Sequence, residues 1–193
     1  LELSLRLRDK RVALGASVTM SRTGDTNPSM DSRVDMARNN GTDMLISIHV
    51  DAGGGSGSSI HYFNEYSYEA SKLIWQKMHE VEERRGIGNR AEPYRWNPFQ
   101  LARCHDTTAF LIECGFIDRA IDLEALIQPS YQDELTNAIA AGITQYFQSR
   151  PVLAAAQSTS APLSVPSAEP VVQPAMAASF SLLSRERRRF TVV

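Results

Sequence analysis

The chain has 193 residues and 42% hydrophobic side chains, and 20 Lys and Arg against 22 Asp and Glu give a formal charge of −2. This balance excludes a protein that grips nucleic acid by neutralising phosphates. Two cysteines are too few for a disulfide scaffold, and no apolar run of about 18 residues is present to cross a membrane.

The opening residues, Leu1 to Ala13, read as a helix entered part-way, with neither Met nor a signal-peptide pattern ahead of it. The chain is therefore read as a fragment lacking its true N-terminus. Ser17–Met20 reads as a short strand. Met30, Val34 and Ala37 then recur about one turn apart and predict a helix over Ser29–Asn40. Leu45–Val50 is short, apolar and β-branched, as a strand buried on both faces is. Ile60–Phe63 reads as another strand, followed by a helix over Tyr68–Arg85 with Ala70, Ile74, Met78 and Val81 on one stripe. Lys77, Glu80, Glu82 and Glu83 are placed mostly off that stripe. Ala109–Ile112 is a further strand. Ser130 with Asp133 approximates a capping box for a last helix carrying Leu135, Ile139, Ile143 and Phe147. Helices alternating with short apolar strands predict an α/β domain, a mostly parallel central sheet flanked by helices.

Composition shifts at Pro151. Residues 151–193 hold five of the nine prolines and none of the glycines, and are rich in Ala, Ser and Val. They lack a periodic apolar face and read as a disordered tail or linker, leaving residues 1–150 as the domain. The Arg cluster at Arg185 and Arg187 to Arg189 reads as a solvated end or as a contact for an anionic surface.

In such a sheet, functional groups gather at the carboxyl ends of the strands. His49 ends the Leu45–His49 run, shares a face with Ser47, and precedes a glycine-rich loop at Gly53–Gly57. That loop leads into a strand rather than a helix and has no following Gly-Lys, which argues against a phosphate site. Glu113 ends another apolar run, Ala109 to Ile112. A carboxylate there needs a partner, because ionised carboxylates are costly to desolvate. Two readings stay open: a hydrogen-bonded structural His with a salt-bridged Glu, or a metal-hydrolase pair in which His49 binds the metal and Glu113 is the general base. His61 lies inside a strand, and His79 sits among charges and is expected to be solvated. His105 precedes the strand that ends at Glu113 and is expected roughly 16 Å from that carboxyl end, at the wrong edge of the sheet. Arg22, Asp25, Arg33 and Asp43 read as turn and ion-pair residues. Cys104 and Cys114 read as buried thiols rather than as a disulfide. Tyr94, Trp96 and Phe99 crowd the connection Gly86–Phe99, either as a stacking surface or as packing under a long loop.

The order of these elements resembles the zinc-dependent N-acetylmuramoyl-L-alanine amidases of the amidase 3 family. The matching residues are Val18 to Asp25, Arg33 and Ala37, Asp43 to Ala52 with Ser47-Ile48-His49, Gly57, Gly88-Asn89-Arg90, and Leu111 to Ile117 with Glu113-Cys114-Gly115-Phe116. Arg38, Asp51 and Thr107-Thr108 depart from the usual pattern. The resemblance spans residues 1–148. It implies a six-stranded sheet and cleavage of the amide between N-acetylmuramic acid and L-alanine in peptidoglycan. It further implies action outside the cytoplasmic membrane, in the periplasm or cell wall. His49 maps to a zinc ligand and Glu113 to the catalytic Glu. The other two ligands, a His in an opening Gly-His-Gly-Gly strand and a Glu, have no match. The expectation is a chain missing its first strand, with a sheet edge left unpaired and too few ligands for zinc. The rival reading is a non-catalytic peptidoglycan-binding or regulatory module; another zinc hydrolase, such as a carboxypeptidase, matches the motif order less well.

Overall fold

The computed structural model describes residues 1–88, 92–104, 107–150 and 188–193. Eleven elements follow in the order α1 (Glu2–Ala13), β1 (Ser17–Met20), α2 (Met30–Asn39), β2 (Met44–Asp51), β3 (Ser59–Tyr62), α3 (Glu65–Arg84), β4 (Tyr94–Trp96), β5 (Thr108–Phe116), α4 (Ala120–Leu126), α5 (Pro129–Ser149) and β6 (Arg189–Val192). The six strands form one sheet, ordered β1-β6-β2-β5-β3-β4. β1, β6, β2 and β5 run parallel, while β3 and β4 are parallel to each other and opposed to β5. The mixed α/β class with a mostly parallel sheet is the one the sequence predicts.

The two faces follow from side-chain alternation. Met44 and Ile46 of β2, Phe110 and Ile112 of β5, and Phe190 of β6 point into the larger core. There they meet Leu7 of α1, Ile74 and Met78 of α3, and Leu135, Ile139 and Ile143 of α5. Leu45, Ala109 and Val193 point the other way and meet Val34 and Ala37 of α2, with Leu101 and Cys104. Cys114 belongs to the first cluster and Cys104 to the second, so the two thiols lie on opposite faces. α3 and α5 approach closely at Gly142, where a Cβ would fall 2.5 Å from the Ile74 Cα.

Helix ends show where local chemistry acts. Ser29 caps α2 by accepting from the Ser32 amide at 3.2 Å, and Asn64 caps α3 by accepting from the Ser67 amide at 2.8 Å. The expected Ser130–Asp133 capping box does not form. α5 starts at Pro129, behind Gln128, and makes no side-chain cap. Proline needs none of the amide partners a cap supplies at that position. Asp133 instead accepts from Arg6 of α1 at 2.9 Å and Lys10 at 3.3 Å. α3 starts three residues earlier than expected, and α4, β4 and β6 are elements the sequence reading did not assign.

β6 corrects two expectations. Residues 188–193 are not a detached tail; residues 151–187 lie outside the described set. Nor are β1 and β2 left without a shared neighbour, because β6 lies between them and pairs with both. Phe190, Thr191, Val192 and Val193 are all buried. The Arg189 amide donates to the Asp43 carboxylate at 2.7 Å, and the Val193 amide donates to the Ile46 carbonyl at 2.9 Å. The fully buried Arg11 guanidinium lies 4.7 Å over the Phe190 ring and donates to Thr144 Oγ1 at 2.9 Å. Arg188 of the cluster lies 4.3 Å over Phe147, so at least this arginine packs on the domain.

Candidate active site

β2 and β5 are adjacent parallel strands, and their register makes His49 and Glu113 direct Cα partners. Both residues continue the face begun by Leu45 and Ala109, at the carboxyl ends of their strands. β3 closes the other side, with Ser59 opposite Glu113. The sequence placed His49 and Glu113 at the carboxyl ends of two strands; the ladder puts those strands side by side.

His49 is half-buried, and its Nε2 shares a 2.7 Å hydrogen bond with Oγ of fully buried Ser47. Burial pushes the imidazole below its ordinary pKa, and the guanidiniums of Arg33 and Arg22 act in the same direction. A neutral imidazole is the form that ligates a metal. Arg22 comes from the β1–α2 connection and Arg33 from the first turns of α2, and contacts with that connection fix both. Arg22 donates to the Thr26 carbonyl at 3.1 Å, and Arg33 donates to the Pro28 carbonyl at 3.0 Å and the Asn27 side chain at 3.1 Å. Their hydrogen bonds are structural, as the sequence suggested, and their charges add to the effect of burial at His49.

The loop after β2 is gripped from behind by carboxylates. Asp118 Oδ2 accepts from the amides of Gly53 and Gly54 at 2.7 and 2.9 Å. Asp122 takes Ser56 and Gly57, and Glu82 accepts from the Ser58 amide at 2.7 Å. Gly55 lies against the Phe116 ring, where any Cβ would overlap it. Sequence reasoning missed all three carboxylates. For Glu82 the signal was available: it falls four residues after Met78 and eight after Ile74, on the buried stripe of α3, and it is 1% exposed.

The remaining candidates separate. His61 is buried on β3 against Phe99, with ring centroids 5.1 Å apart. His79 is not simply solvated: it stacks on Trp75 at 4.6 Å and lies 3.3 Å from Glu83. His105 lies outside the described residues, as do Asn89 and Arg90. Tyr94 packs edge-on to Tyr68 and Trp75, whereas Trp96 and Phe99 are exposed, so the aromatic connection divides between packing and open surface. A groove of about 500 Å³ lined by Arg38, Asp43, Thr108 and Arg150 opens at the amino ends of β2 and β5, away from His49 and Glu113.

Among the described residues, no three His, Cys, Asp or Glu side chains converge as a metal-binding group. Catalytic zinc is normally held by three protein ligands. The described residues offer His49 beside one carboxylate, which does not fit a complete zinc site.

The domain is a mixed α/β sheet that carries a His–carboxylate pair toward the carboxyl ends of two neighbouring strands. Residues 1–145 match the family model described as N-acetylmuramoyl-L-alanine amidase, and the chain belongs to that family. It is 28% identical over 151 residues to N-acetylmuramoyl-L-alanine amidase LytC of Bacillus subtilis, covering 77% of this chain and 30% of that one. It is 32% identical over 136 residues to the sporulation-specific N-acetylmuramoyl-L-alanine amidase of the same organism, covering 69% and 51%. The chain thus spans between about a third and a half of the length of these relatives. Among solved structures, it matches an N-acetylmuramoyl-L-alanine amidase of Clostridium difficile at TM-score 0.69 and 27% identity, over 78% of this chain and 82% of that one. The CwlD amidase of Clostridioides difficile, solved in complex with the GerS lipoprotein, matches in fold at TM-score 0.70 and 23% identity, over 77% and 84%. No helix among the described residues is long and apolar enough to cross a membrane.

Proposed function

We propose that this domain hydrolyses the amide joining N-acetylmuramic acid to L-alanine in peptidoglycan, in the periplasm or cell wall, with zinc as cofactor and His49 as one ligand. The register pairing of His49 with Glu113 carries this reading, since it puts a ligand-competent imidazole beside a carboxylate at the sheet's active edge. The two further ligands that zinc requires would come from outside the described residues.

Glu113 has the general-base role. It takes a proton from the attacking water as the water oxygen bonds to the lactyl carbonyl carbon. It then returns that proton to the L-alanine nitrogen as the C–N bond breaks. A carboxylate held on a buried strand moves little, which favours proton transfer in a fixed geometry.

The test is release of free stem peptides from purified peptidoglycan, with zinc supplied in excess. Glu113→Gln should keep zinc content near that of the parent and lower turnover by roughly 10²–10⁴-fold, the usual share of general-base catalysis. Near-parental turnover would remove Glu113 from the mechanism. Binding of peptidoglycan with no release by a parent chain that holds zinc stoichiometrically would favour the non-catalytic module.

A further inference from the structure

Asp122 is a carboxylate 1% exposed on α4, and it binds two separate segments. Its Oδ2 accepts from the Gly57 amide at 2.8 Å and from the Phe116 amide at 3.0 Å, and its Oδ1 accepts from Ser56 Oγ at 2.7 Å. Ser56 and Gly57 belong to the loop that leaves β2 after His49. Phe116 is the last residue of β5, three beyond Glu113. One buried side chain therefore ties together the exits of the two strands that carry the pair. Ser56 Oγ also accepts from the Gly88 amide at 3.2 Å, which extends the tie to the segment after α3.

A carboxylate is costly to bury. An apolar residue would fill this space without that cost, but it would leave the Gly57 and Phe116 amides without these acceptors. The backbone around Asp122 is shaped to admit it. Gly115, at φ +135°, keeps its Cα hydrogen toward Asp122, where a Cβ would lie 3.2 Å from Oδ2. The β2–β5 register itself shifts between His49 and Asp51, so the ladder alone does not fix the ends of these strands. What aligns them past the irregularity is the Ile117 amide donating to the Asp51 carbonyl at 2.8 Å, together with the Asp122 tie.

We infer that Asp122 is a positioning residue: by tying the loop after β2 to the end of β5, just beyond the His49–Glu113 register pair, it holds the orientation of those two side chains. Asp118 serves as the internal control. It grips the same loop at Gly53 and Gly54 from the exposed side and makes no comparable bond to β5. The catalytic consequence rests on the amidase reading; the geometric one does not. Misplacing reacting groups by about 1 Å can lower turnover on the order of 10²-fold.

The experiment compares the 193-residue chain with Asp122→Asn, Ser56→Ala and Asp118→Asn. Two readouts are taken: the NMR signals of the His49 ring and the Glu113 side chain, and kcat against KM for stem-peptide release with zinc in excess. Asn keeps one oxygen for the two amides but cannot accept from Ser56 Oγ through its amide nitrogen, so the Ser56 hydroxyl loses its acceptor and the remaining bonds lose their charge assistance. Asp122→Asn should move both sets of signals and lower kcat by about 10-fold or more, with KM within about threefold. Ser56→Ala, which leaves both amide bonds in place, should do the same to a smaller extent. Asp118→Asn should do neither. Unmoved His49 and Glu113 signals in folded Asp122→Asn and Ser56→Ala would overturn the inference, as would an Asp118→Asn effect equal to that of Asp122→Asn. If a parent chain that holds zinc stoichiometrically releases no stem peptide, the amidase reading fails, while the NMR comparison still decides the role of Asp122.

Discussion

Thr42 and Thr191 share a buried 2.7 Å hydrogen bond between their hydroxyls, although 149 residues separate them in sequence. It joins the turn before β2 to the middle of β6, and it lies beside the Arg189–Asp43 bond that starts the same strand. The apolar side chains of β6 complete both cores, Phe190 in one and Val193 in the other.

Phe190→Ala should therefore destabilise the domain by about 3–5 kcal/mol, the usual result of emptying a buried aromatic site. In a domain of this size that lowers the thermal midpoint by roughly 10 °C or more. Differential scanning calorimetry checks it. A midpoint within a degree or two of the parent would mean that β6 contributes little to the folded state.

Glu82 makes stability depend on pH in an unusual direction. Burial raises its pKa from the ordinary carboxyl value to about 7, with nearby Asp122 acting the same way and the Ser58 bonds opposing it. His79 on its own helix, Cys114 on β5 and Tyr131 on α5 also face this group. A folded-state pKa above the unfolded one means that the native state holds its proton more tightly. The contribution is full below about 4.5 and is lost as pH rises through about 7, on the order of 3 kcal/mol in all. Glu82→Gln keeps an acceptor for the Ser58 amide and carries no charge. Denaturant midpoints should then match those of the parent near pH 4.5 and exceed them at pH 8. Parallel curves across that range would show that Glu82 does not titrate there.

His49→Ala should lower both zinc content and turnover, in contrast to Glu113→Gln. His49 is the one zinc ligand assigned among the described residues, so its removal should weaken metal binding. Metal analysis after dialysis against a fixed zinc concentration, alongside the stem-peptide assay, gives both quantities. A slower enzyme with undiminished zinc would place His49 in another role.

The site pair was legible because its signals are local: alternation along two short strands, each ending in a residue that seldom ends a buried run. That the two strands are neighbours is a tertiary fact, and no residue spacing encodes it. The carboxylates behind the loop were hidden for different reasons. Glu82 sits in a run of charges, and its place on the stripe shows only when the helical period is carried past Val81. Asp118 and Asp122 follow the Glu113 strand closely, but most of their partners lie more than sixty residues away in the loop after β2. β6 was masked by context, four residues behind an Arg cluster in a Pro- and Ala-rich stretch. Its strand character depends on the gap it fills.

The position of β6 also bears on how the chain is made. Ser17 of β1 pairs with Arg189, so two parallel strands near the start of the chain can be bridged only after residues 189–192 have left the ribosome. At about 5–20 residues per second, β1 waits many seconds beside β2 with its pairing groups unmet. Closing so long a loop is entropically modest, since each doubling adds only about 0.6 kcal/mol, but high contact order slows the step. A chain stalled during synthesis before Arg189 would leave the facing edges of β1 and β2 without the strand that pairs with both.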